Sequence, residues 1–248
     1  YGDFIVGMIQ EMITGLYLIT QDDVKIPINQ AAQLIYMSNA NDKDLDKLSN
    51  IIKKAKEERR DCLTGKEIAS VFLPDDFNFE NDKIKIENGM IVRGYLDSSL
   101  IKAEKGRLFV VLYKMYGKEY VTDLLEKYSL LGIYYQYNLG ITMSISDFDL
   151  PEEAKEEIRK IIDDTQKIVE DLYKQYTEGT LERIAGRSLQ ETYELKSMQV
   201  ISESVTKIQD VLRKYMKKDT GTYIMSITGA RGDWQNAVRM AGSLGFQA

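Results

Sequence analysis

Two long apolar stripes at helical spacing constrain how the second half of the chain folds. One stripe runs through residues 151–178 and the other from about residue 189 to residue 218, with apolar side chains three or four positions apart. Pro151 suits the first position of a helix, and the acidic residues after it suit the positive end of the helix dipole. Because only a short break at residues 179–187 separates the stripes, the two helices are predicted to pair antiparallel.

This predicted hairpin admits two roles. It is either a solvated support for the rest of the fold or a projecting arm on which protein partners dock. One hypothesis for the whole chain is therefore an independent helical scaffold that docks protein partners through residues 151–218. The spacing of the apolar residues is the same in both roles, so the pattern leaves the choice open.

The first half of the chain predicts shorter elements, of which a β-hairpin is the clearest. Apolar and polar residues alternate from residue 83 to residue 95 around Asn88-Gly89, a dipeptide that favours a two-residue type I′ turn. Thr64 or Gly65 is predicted to cap a further short helix.

Apolar spacing predicts two more helices in this half, over residues 2–20 and residues 108–139. Glycine weakens a helix, so the second of them is expected to be interrupted at Gly117 and Gly132. Residues 141–145 then alternate between apolar and polar side chains, which predicts a short strand.

The composition excludes several kinds of chemistry. The chain has no histidine and a single cysteine, Cys62, which rules out a disulfide within the chain, Ser-His-Asp or Cys-His catalysis, and Cys/His zinc sites. Carboxylate metal sites stay open, although the 39 acidic residues form no Asp-x-Asp cluster on an apolar strand. No catalytic residue, metal site or cofactor is predicted within the chain, since no complete acid–base, nucleophile or metal constellation stands in it. A net charge of −6 argues against a protein that binds nucleic acid by itself, because phosphate contacts need clustered basic residues.

The last stretch of the chain carries the best candidate for a phosphate contact. An apolar run ends at Gly229, and Arg231 stands between two glycines, so its guanidinium can present two donors to a phosphate. The alternative is an ion pair between Arg231 and Asp233 or an interaction with a helix C-terminus. Asp233 is predicted to cap a helix over residues 234–244.

Both ends of the chain predict a fragment of a longer protein. Tyr1 is not an initiator methionine, and the helical pattern near Ala248 continues to the last residues.

Four further polar or aromatic residues have a functional and a structural interpretation. Gln10 and Asn236 lie on otherwise apolar helices and either face a substrate or satisfy a buried backbone group. Lys66 follows a Thr-Gly pair but lacks the Walker pattern, so a role in helix capping is favoured over phosphate binding. Trp234 is predicted to anchor a core rather than to stack on a base.

These motifs, in this order, resemble the largest subunit of cellular RNA polymerases, most of all its archaeal form. The resemblance covers nearly the whole chain. It is carried by Ile9-Gln10-Glu11, Gly15 to Thr20, Leu63-Thr64-Gly65-Lys66, Leu73-Pro74, Glu87-Asn88-Gly89, Gly186-Arg187-Ser188-Leu189 and Thr228-Gly229-Ala230-Arg231-Gly232. The family usually has serine where this chain has Asp233, and glutamine where it has Arg239.

The resemblance implies an α+β fold that is mostly α. Residues 1–149 are expected to form a helical pore domain with a small β-hairpin sheet. Residues 150–222 are expected to form the long antiparallel helical hairpin of the funnel. Residues 223–248 then form a loop and the truncated start of the bridge helix.

The resemblance also implies a function in DNA-templated transcription. The chain is expected to be part of a DNA-directed RNA polymerase, a nucleotidyltransferase, and to line the secondary channel. Nucleoside triphosphates enter through this channel, the RNA 3′ end of a backtracked complex occupies it, and transcript-cleavage factors dock beside it. The aspartates that bind the catalytic magnesium ion are expected upstream of Tyr1, so the fragment alone is predicted to be inactive.

The same resemblance supplies the expected partners and site residues. Other polymerase subunits are partners, DNA is bound only in the whole enzyme, no membrane is involved and the location is cytoplasmic. Arg231, Gln10 and Asn236 are the residues predicted to face substrate or phosphate.

Overall fold

The structure, a computed structural model, describes residues 6–103 and 106–245. Within these residues it divides into two compact units. The first contains the residues up to Ile141 together with Met225–Arg231, and the second contains Thr142–Ile224 and the residues after Arg231. The predicted class, mostly α with a small β component, is confirmed. In the part of the chain that is described, no helix is both long and apolar enough to cross a membrane.

The first unit is built from six helices and two small antiparallel sheets within the described residues. Its helices are α1 Gln10–Ile19, α2 Ile28–Met37, α3 Asp42–Glu57, α4 Gly65–Ser70, α5 Ser98–Ile101 and α6 Arg107–Leu139. Its strands are β1 Lys25–Pro27, β2 Cys62–Thr64, β3 Phe79–Glu80, β4 Ile84–Glu87 and β5 Met90–Gly94. Strand β1 pairs with β2, and β4 lies between β3 and β5.

The predicted β-hairpin is confirmed. Strands β4 and β5 are joined by Asn88 and Gly89, which have φ of 49° and 69°. Positive φ at both central positions is what a type I′ turn requires, and its twist matches that of the two strands. The pairing of β1 with β2, and the third strand β3, were not predicted.

Helices α1 and α6 cross at two glycines, and this contact holds the core of the first unit together. A Cβ atom on Gly15 would fall well inside van der Waals contact with the carbonyl oxygen of Gly132. A Cβ on Gly132 would lie 2.5 Å from the carbonyl oxygen of Met12. The two helix backbones therefore touch directly, and neither glycine leaves room for a side chain.

Two predictions about these helices need correction. Helix α6 runs through Gly132 without a break, because the glycine serves close helix packing rather than ending the helix. The predicted interruption at Gly117 is confirmed, since this residue has φ of 83° and ψ of −178° inside α6. Helix α1 begins at Gln10 and not at residue 2: Met8 instead forms a β-bridge with Lys102, and residues 2–5 lie outside the described residues.

A buried ion pair lies between α3 and α6. The side chain of Lys127 is 3% exposed, and its Nζ lies 2.6 Å from Asp44 Oδ2 and 2.5 Å from Asp123 Oδ2. Burial alone would lower the pKa of Lys127, but the hydrogen bonds to Asp123 and Asp44 outweigh it and the pKa is raised. The ammonium group also lies 5.8 Å from the centre of the Phe72 ring. Lys127 is therefore charged inside the core.

Helix α4 begins with a reciprocal capping arrangement. The Thr64 side chain accepts a hydrogen bond from the Glu67 backbone N–H, and the Glu67 carboxylate accepts one from the Thr64 backbone N–H. Arg60 donates two further hydrogen bonds to the same carboxylate, at 3.0 and 2.8 Å. Of the two residues predicted as the cap, Thr64 and Gly65, the cap is Thr64, and Glu67 joins α4 to Arg60 beyond the end of α3.

Replacing Glu67 with glutamine is expected to lower the free energy of unfolding by about 2 kcal/mol at neutral pH, because charge-assisted hydrogen bonds are lost. Burial alone would raise the pKa of Glu67, but Arg60 and Thr64 together lower it. A lowered carboxyl pKa means that the stabilisation is complete above about pH 4.5 and is lost as the pH falls through the pKa in the folded protein.

Urea unfolding of the Glu67→Gln variant between pH 3 and pH 7 measures this dependence. The control is Glu191→Gln, which alters the equivalent but more exposed cap at Ser188 and should have a smaller effect. A loss of stability for Glu67→Gln that stayed constant down to pH 3 would contradict the assignment.

The second unit contains the predicted helical hairpin, which is confirmed. Its helices are α7 Glu152–Thr177 and α8 Leu189–Tyr215. The Glu157 carboxylate near the start of α7 lies 3.8 Å from the Lys214 ammonium near the end of α8. At the other end, the Tyr176 and Tyr193 ring centres are 5.1 Å apart, so the two helices run antiparallel.

Most buried apolar residues of the second unit gather at the end of the hairpin that is far from its turn. Many of them come from α7, α8 and α10, the last being Trp234–Ala241, and include Ala154, Ile158, Ile208, Leu212 and Val238. Helix α9, Gly221–Thr228, precedes α10 in the chain.

The prediction of a short strand over residues 141–145 is wrong. Residues 141–144 are irregular and Ile145–Phe148 form a 3₁₀ turn. Asp147 in this turn accepts hydrogen bonds from the backbone N–H and the hydroxyl of Thr222. The hydrogen bonds from Thr222 to Asp147 hold this segment in a turn, although the alternation of apolar and polar residues predicts a strand.

Candidate functional site

The loop that carries Arg231 is fixed against helix α5. Gly229 has φ of 65°, and a Cβ on it would collide with the Ser98 hydroxyl oxygen. Lys102 directs its Nζ toward the Gly229 carbonyl oxygen at 3.5 Å. Thr228 and Ala230 are buried on either side. Glycine is favoured at position 229, because the backbone is left-handed and any side chain would have to displace the Ser98 hydroxyl.

Arg231 follows this fixed loop and is exposed to solvent. Within the described residues of the first unit, its guanidinium has no ion pair. Asp233, in the second unit, caps α10, with its carboxylate accepting a hydrogen bond from the Asn236 backbone N–H at 3.0 Å. The alternative of an ion pair between Arg231 and Asp233 stays a prediction. Serine, the residue usual in the family, is also a good N-cap, so this departure preserves the start of the helix.

Gln10 lies on a segment that contacts the C-terminal end of α5. The backbone N–H of Met8 donates to the carbonyl oxygen of Ile101 at 3.0 Å, and Met8 forms a β-bridge with Lys102. Gln10 then opens α1 with φ of 47°, a strained value for a residue other than glycine. Lys102 therefore touches both the segment that leads to Gln10 and the loop that leads to Arg231.

We call the surroundings of Lys102, with Gln10, Gly229 and Arg231, the α5 junction. Within the described chain, neither Lys102 nor Arg231 has an ion pair. The nearby buried carboxylate of Asp97 caps α5 and is neutralised by Lys83, whose Nζ lies 2.6 Å away. Among the described residues, the junction thus carries two cations without a carboxylate partner.

This arrangement can bind anions but cannot perform acid–base or nucleophilic chemistry. Two cations beside an exposed loop suit the oxygens of a phosphate. Among residues 6–103 and 106–245 there is no group of three or more acidic, histidine or cysteine side chains that could hold a metal ion.

Asn236 belongs to the second unit, where it lies in the first turn of α10 with its side chain exposed. The structural role considered for it, satisfying a buried backbone group, does not fit an exposed side chain. Its predicted contact with substrate stays a prediction.

The structural interpretation of Trp234 agrees with the structure, whereas the capping role favoured for Lys66 is wrong, because Thr64 and Glu67 form the cap of α4. Lys66 lies in the first turn of α4 and forms an ion pair with Asp22. The Trp234 ring packs edge-to-face on Tyr223 at 5.5 Å, with the Arg213 guanidinium 5.3 Å from its centre.

Sequence reasoning missed Lys102. Nothing in the local pattern distinguishes this lysine from the other basic residues, because its importance comes from a contact with a loop 127 positions away. Only the glycines around Arg231 gave a local signal for the same site.

Comparison with protein families defines the class of protein. The model described as RNA polymerase Rpb1, domain 3, matches residues 1–148, and the model described as RNA polymerase Rpb1, domain 4, matches residues 172–248. The chain therefore belongs to the family of the RNA polymerase largest subunit, as the order of its motifs predicted.

Individual relatives point to the archaeal branch of this family. The chain is 31% identical over 272 residues to DNA-directed RNA polymerase subunit Rpo1N of Methanothermobacter thermautotrophicus strain Delta H, a match that covers 100% of this chain and 29% of the relative. It is 28% identical over 253 residues to the subunit of the same name from Halobacterium salinarum, covering 100% of this chain and 25% of the relative. The chain thus spans between a quarter and a third of these relatives.

Proposed function

We propose that this chain forms part of the wall of the secondary channel in a DNA-directed RNA polymerase. In this role it guides nucleoside triphosphates toward the active centre and accommodates the RNA 3′ end of a backtracked complex. The observation that carries the proposal is the α5 junction, where Arg231 is exposed two residues after Gly229, whose carbonyl oxygen accepts a hydrogen bond from a second cation, Lys102. Other polymerase subunits are its partners, DNA is bound by the assembled enzyme, and the enzyme acts in the cytoplasm.

The contribution of this chain to nucleotidyl transfer is positioning and electrostatics. Phosphoryl transfer depends mostly on alignment of the reacting groups and on stabilisation of charge on phosphate oxygens. The described residues do not fit a magnesium site, because they include no cluster of acidic side chains that could hold the ion. The catalytic magnesium belongs to residues outside this chain, and the chain alone is inactive.

Replacing Arg231 with alanine in the full subunit, assembled into its polymerase, is expected to reduce kcat/KM for nucleotide addition about tenfold to a hundredfold. This range corresponds to the loss of one charge-assisted contact to phosphate, about 1.5–3 kcal/mol. Single-nucleotide addition measured across a range of nucleoside triphosphate concentrations gives the value.

Arg183→Ala is the matched control, since Arg183 is an exposed arginine in the turn of the helical hairpin. It should leave kcat/KM unchanged. Arg231→Lys keeps the charge and loses the two-donor geometry, so an intermediate rate is expected. Equal rates for Arg231→Ala and the unaltered enzyme would refute the proposed role of the loop.

The hairpin of α7 and α8 is proposed as the docking arm for transcript-cleavage factors. Near its turn, the rings of Tyr173, Tyr176 and Tyr193 form a cluster with centres 5.1–6.4 Å apart. Tyr173 is 54% exposed. Tyrosine is enriched among the residues that dominate binding energy at protein interfaces, and an aromatic cluster at the end of an arm is accessible to a partner.

Tyr173→Ala is expected to weaken binding of a cleavage factor to the assembled polymerase by about tenfold, or more, since truncating such a residue typically costs at least 1–2 kcal/mol. The dissociation constant and the rate of factor-stimulated transcript cleavage provide the measurement. Tyr173→Phe keeps the ring and should bind almost normally. Unchanged affinity in the alanine variant would place the docking surface elsewhere.

A further inference from the structure

Helix α5 contacts the loop that carries Arg231 at both of its ends. Ser98 is the first residue of the helix and Lys102 follows its last residue, so one helical turn separates them. The Ser98 hydroxyl lies directly against Gly229, in the space that a Cβ atom would need there. The Lys102 ammonium lies 3.5 Å from the Gly229 carbonyl oxygen. Two side chains of one short helix therefore meet the same residue of the loop.

The backbone of Lys102 is fixed independently of this loop. The carbonyl oxygen of Ile101 accepts a hydrogen bond from the Met8 backbone N–H at 3.0 Å, and Lys102 itself forms the β-bridge with Met8. One residue further, the backbone of Ala103 touches that of Gly7, where a Cβ atom would collide with the Ala103 nitrogen. Met8 and Ile101 are fully buried. Lys102 thus extends its side chain from a rigid base.

The two cations of the α5 junction differ in their surroundings. Arg231 is exposed, whereas Lys102 is half-buried with its ammonium directed at the loop. Within the described residues of the first unit, no carboxylate competes for this ammonium. Asp97, which caps α5, already accepts hydrogen bonds from Lys83 and from the Ser99 backbone N–H. The contact between Lys102 and Gly229 is long, but the charge of the ammonium strengthens it.

This contact acts on the peptide group that leads into Arg231. The carbonyl oxygen of Gly229 and the N–H of Ala230 belong to this one peptide group. Its oxygen faces the Lys102 ammonium, and its N–H donates to the Thr228 hydroxyl at 3.4 Å. Glycine has the least restricted backbone of all residues, so these two contacts keep the peptide plane from rotating. Rotation of this plane would turn Arg231 away from its present direction.

We infer that Lys102 is a positioning residue for nucleotide addition. By holding the peptide group between Gly229 and Ala230 from α5, it sets the direction in which Arg231 presents its guanidinium to phosphate. The inference rests on the proposed function, because it takes Arg231 as the residue that contacts phosphate. It deepens that function by giving the two cations different roles: Arg231 binds phosphate, and Lys102 acts through the loop.

A double-mutant cycle in the full subunit, assembled into its polymerase, tests the inference. Lys102→Met removes the ammonium and keeps an unbranched side chain, and it is made alone and together with Arg231→Ala. Alone, it is expected to lower kcat/KM for nucleotide addition about threefold to tenfold, because misdirecting a contact costs less than removing it. In the Arg231→Ala background it should lower kcat/KM by less than about 1.5-fold, since the group that Lys102 positions is already gone.

Two further variants separate positioning from a general effect on the fold or on the charge. Lys102→Arg keeps a cation that can reach the Gly229 carbonyl oxygen, so kcat/KM should stay within about twofold of the unaltered enzyme. Lys25→Met is the control for loss of a lysine, since Lys25 is an exposed residue of β1 in the same unit, and it should leave kcat/KM unchanged.

The cycle distinguishes failure of the inference from failure of the proposed function. If Lys102→Met lowered kcat/KM by the same factor with and without Arg231, Lys102 would act independently of Arg231 and the inference would be overturned. An unchanged kcat/KM in Lys102→Met, beside the expected loss in Arg231→Ala, would also overturn the inference alone. No loss in Arg231→Ala would overturn both.

Assembly of the variant enzyme is measured first. If the Lys102→Met subunit does not enter the polymerase, Lys102→Ala takes its place in the same cycle, because it removes the same ammonium. Failure of both variants to assemble, with normal assembly of Lys25→Met, would make Lys102 a residue of the fold and would overturn the inference.

Discussion

Replacing Gly15 with valine is expected to lower the free energy of unfolding of the first unit by about 4 kcal/mol or more. The added side chain would occupy the space of the Gly132 carbonyl oxygen, which is backbone and cannot rotate away. Helices α1 and α6 would have to separate along their whole contact, so the core around Ile13 and Leu16 would lose its packing. Urea unfolding followed by circular dichroism measures the change.

Gly140→Asn is the matched control for this substitution. Gly140 ends α6 with φ of 68°, and no atom lies within 4 Å of the position where its Cβ would be. Asparagine tolerates the left-handed backbone of a helix C-terminus, so the expected loss is about 1 kcal/mol or less. A similar small loss in Gly15→Val would show that the two helices do not touch at their backbones.

Replacing Lys127 with methionine is expected to lower the free energy of unfolding by about 3–5 kcal/mol at neutral pH. Methionine keeps much of the apolar stem and removes the charge, which leaves Asp44, 8% exposed, without its cation. Because the pKa of Lys127 is raised in the folded protein, the stabilisation is complete below about pH 10.5 and is lost as the pH rises further. Unfolding measured between pH 7 and pH 11 reports both effects.

The control for Lys127 is an exposed ion pair. Lys155 is 41% exposed and lies 3.5 Å from the carboxylate of Glu152, so Lys155→Met should cost less than about 1 kcal/mol. If both methionine variants lost the same small amount, Lys127 would be a solvated lysine and not a buried partner of Asp44.

Local patterns predicted those parts of the fold that depend on neighbouring residues. The hairpin of α7 and α8 follows from apolar spacing, and the turn between β4 and β5 follows from Asn88-Gly89. The crossing of α1 and α6 could not be predicted, because it joins glycines that lie far apart in the chain. Gly132 shows the difference clearly. Intrinsic propensity marks it as a helix breaker, while its tertiary contact keeps it inside a helix.

In the candidate site, too, only the features that depend on neighbouring residues were predictable. The glycines on either side of Arg231 predicted a loop of unusual backbone conformation. In the structure Gly229 and Gly232 both have positive φ, and Arg231 is exposed. The contribution of Lys102 depends on how α5 packs between two distant segments, for which the sequence contains no local signal. Resemblance to a family provided the functional context that neither composition nor spacing could supply.

The uneven burial along the helical hairpin has a consequence for any protein that binds it. Most of its buried side chains, such as Ile158 and Ile208, lie near the base, so the half toward the turn is held mainly by its own helical hydrogen bonds and a few contacts. Local opening can then begin at the turn and stop before the base. A protein that binds the half of the hairpin near the turn must also order this half. Part of the binding free energy then offsets the conformational entropy that the hairpin loses. A partner could therefore bury a large surface on this half of the hairpin and still bind with only moderate affinity. Moderate affinity allows such a partner to dissociate after each binding event.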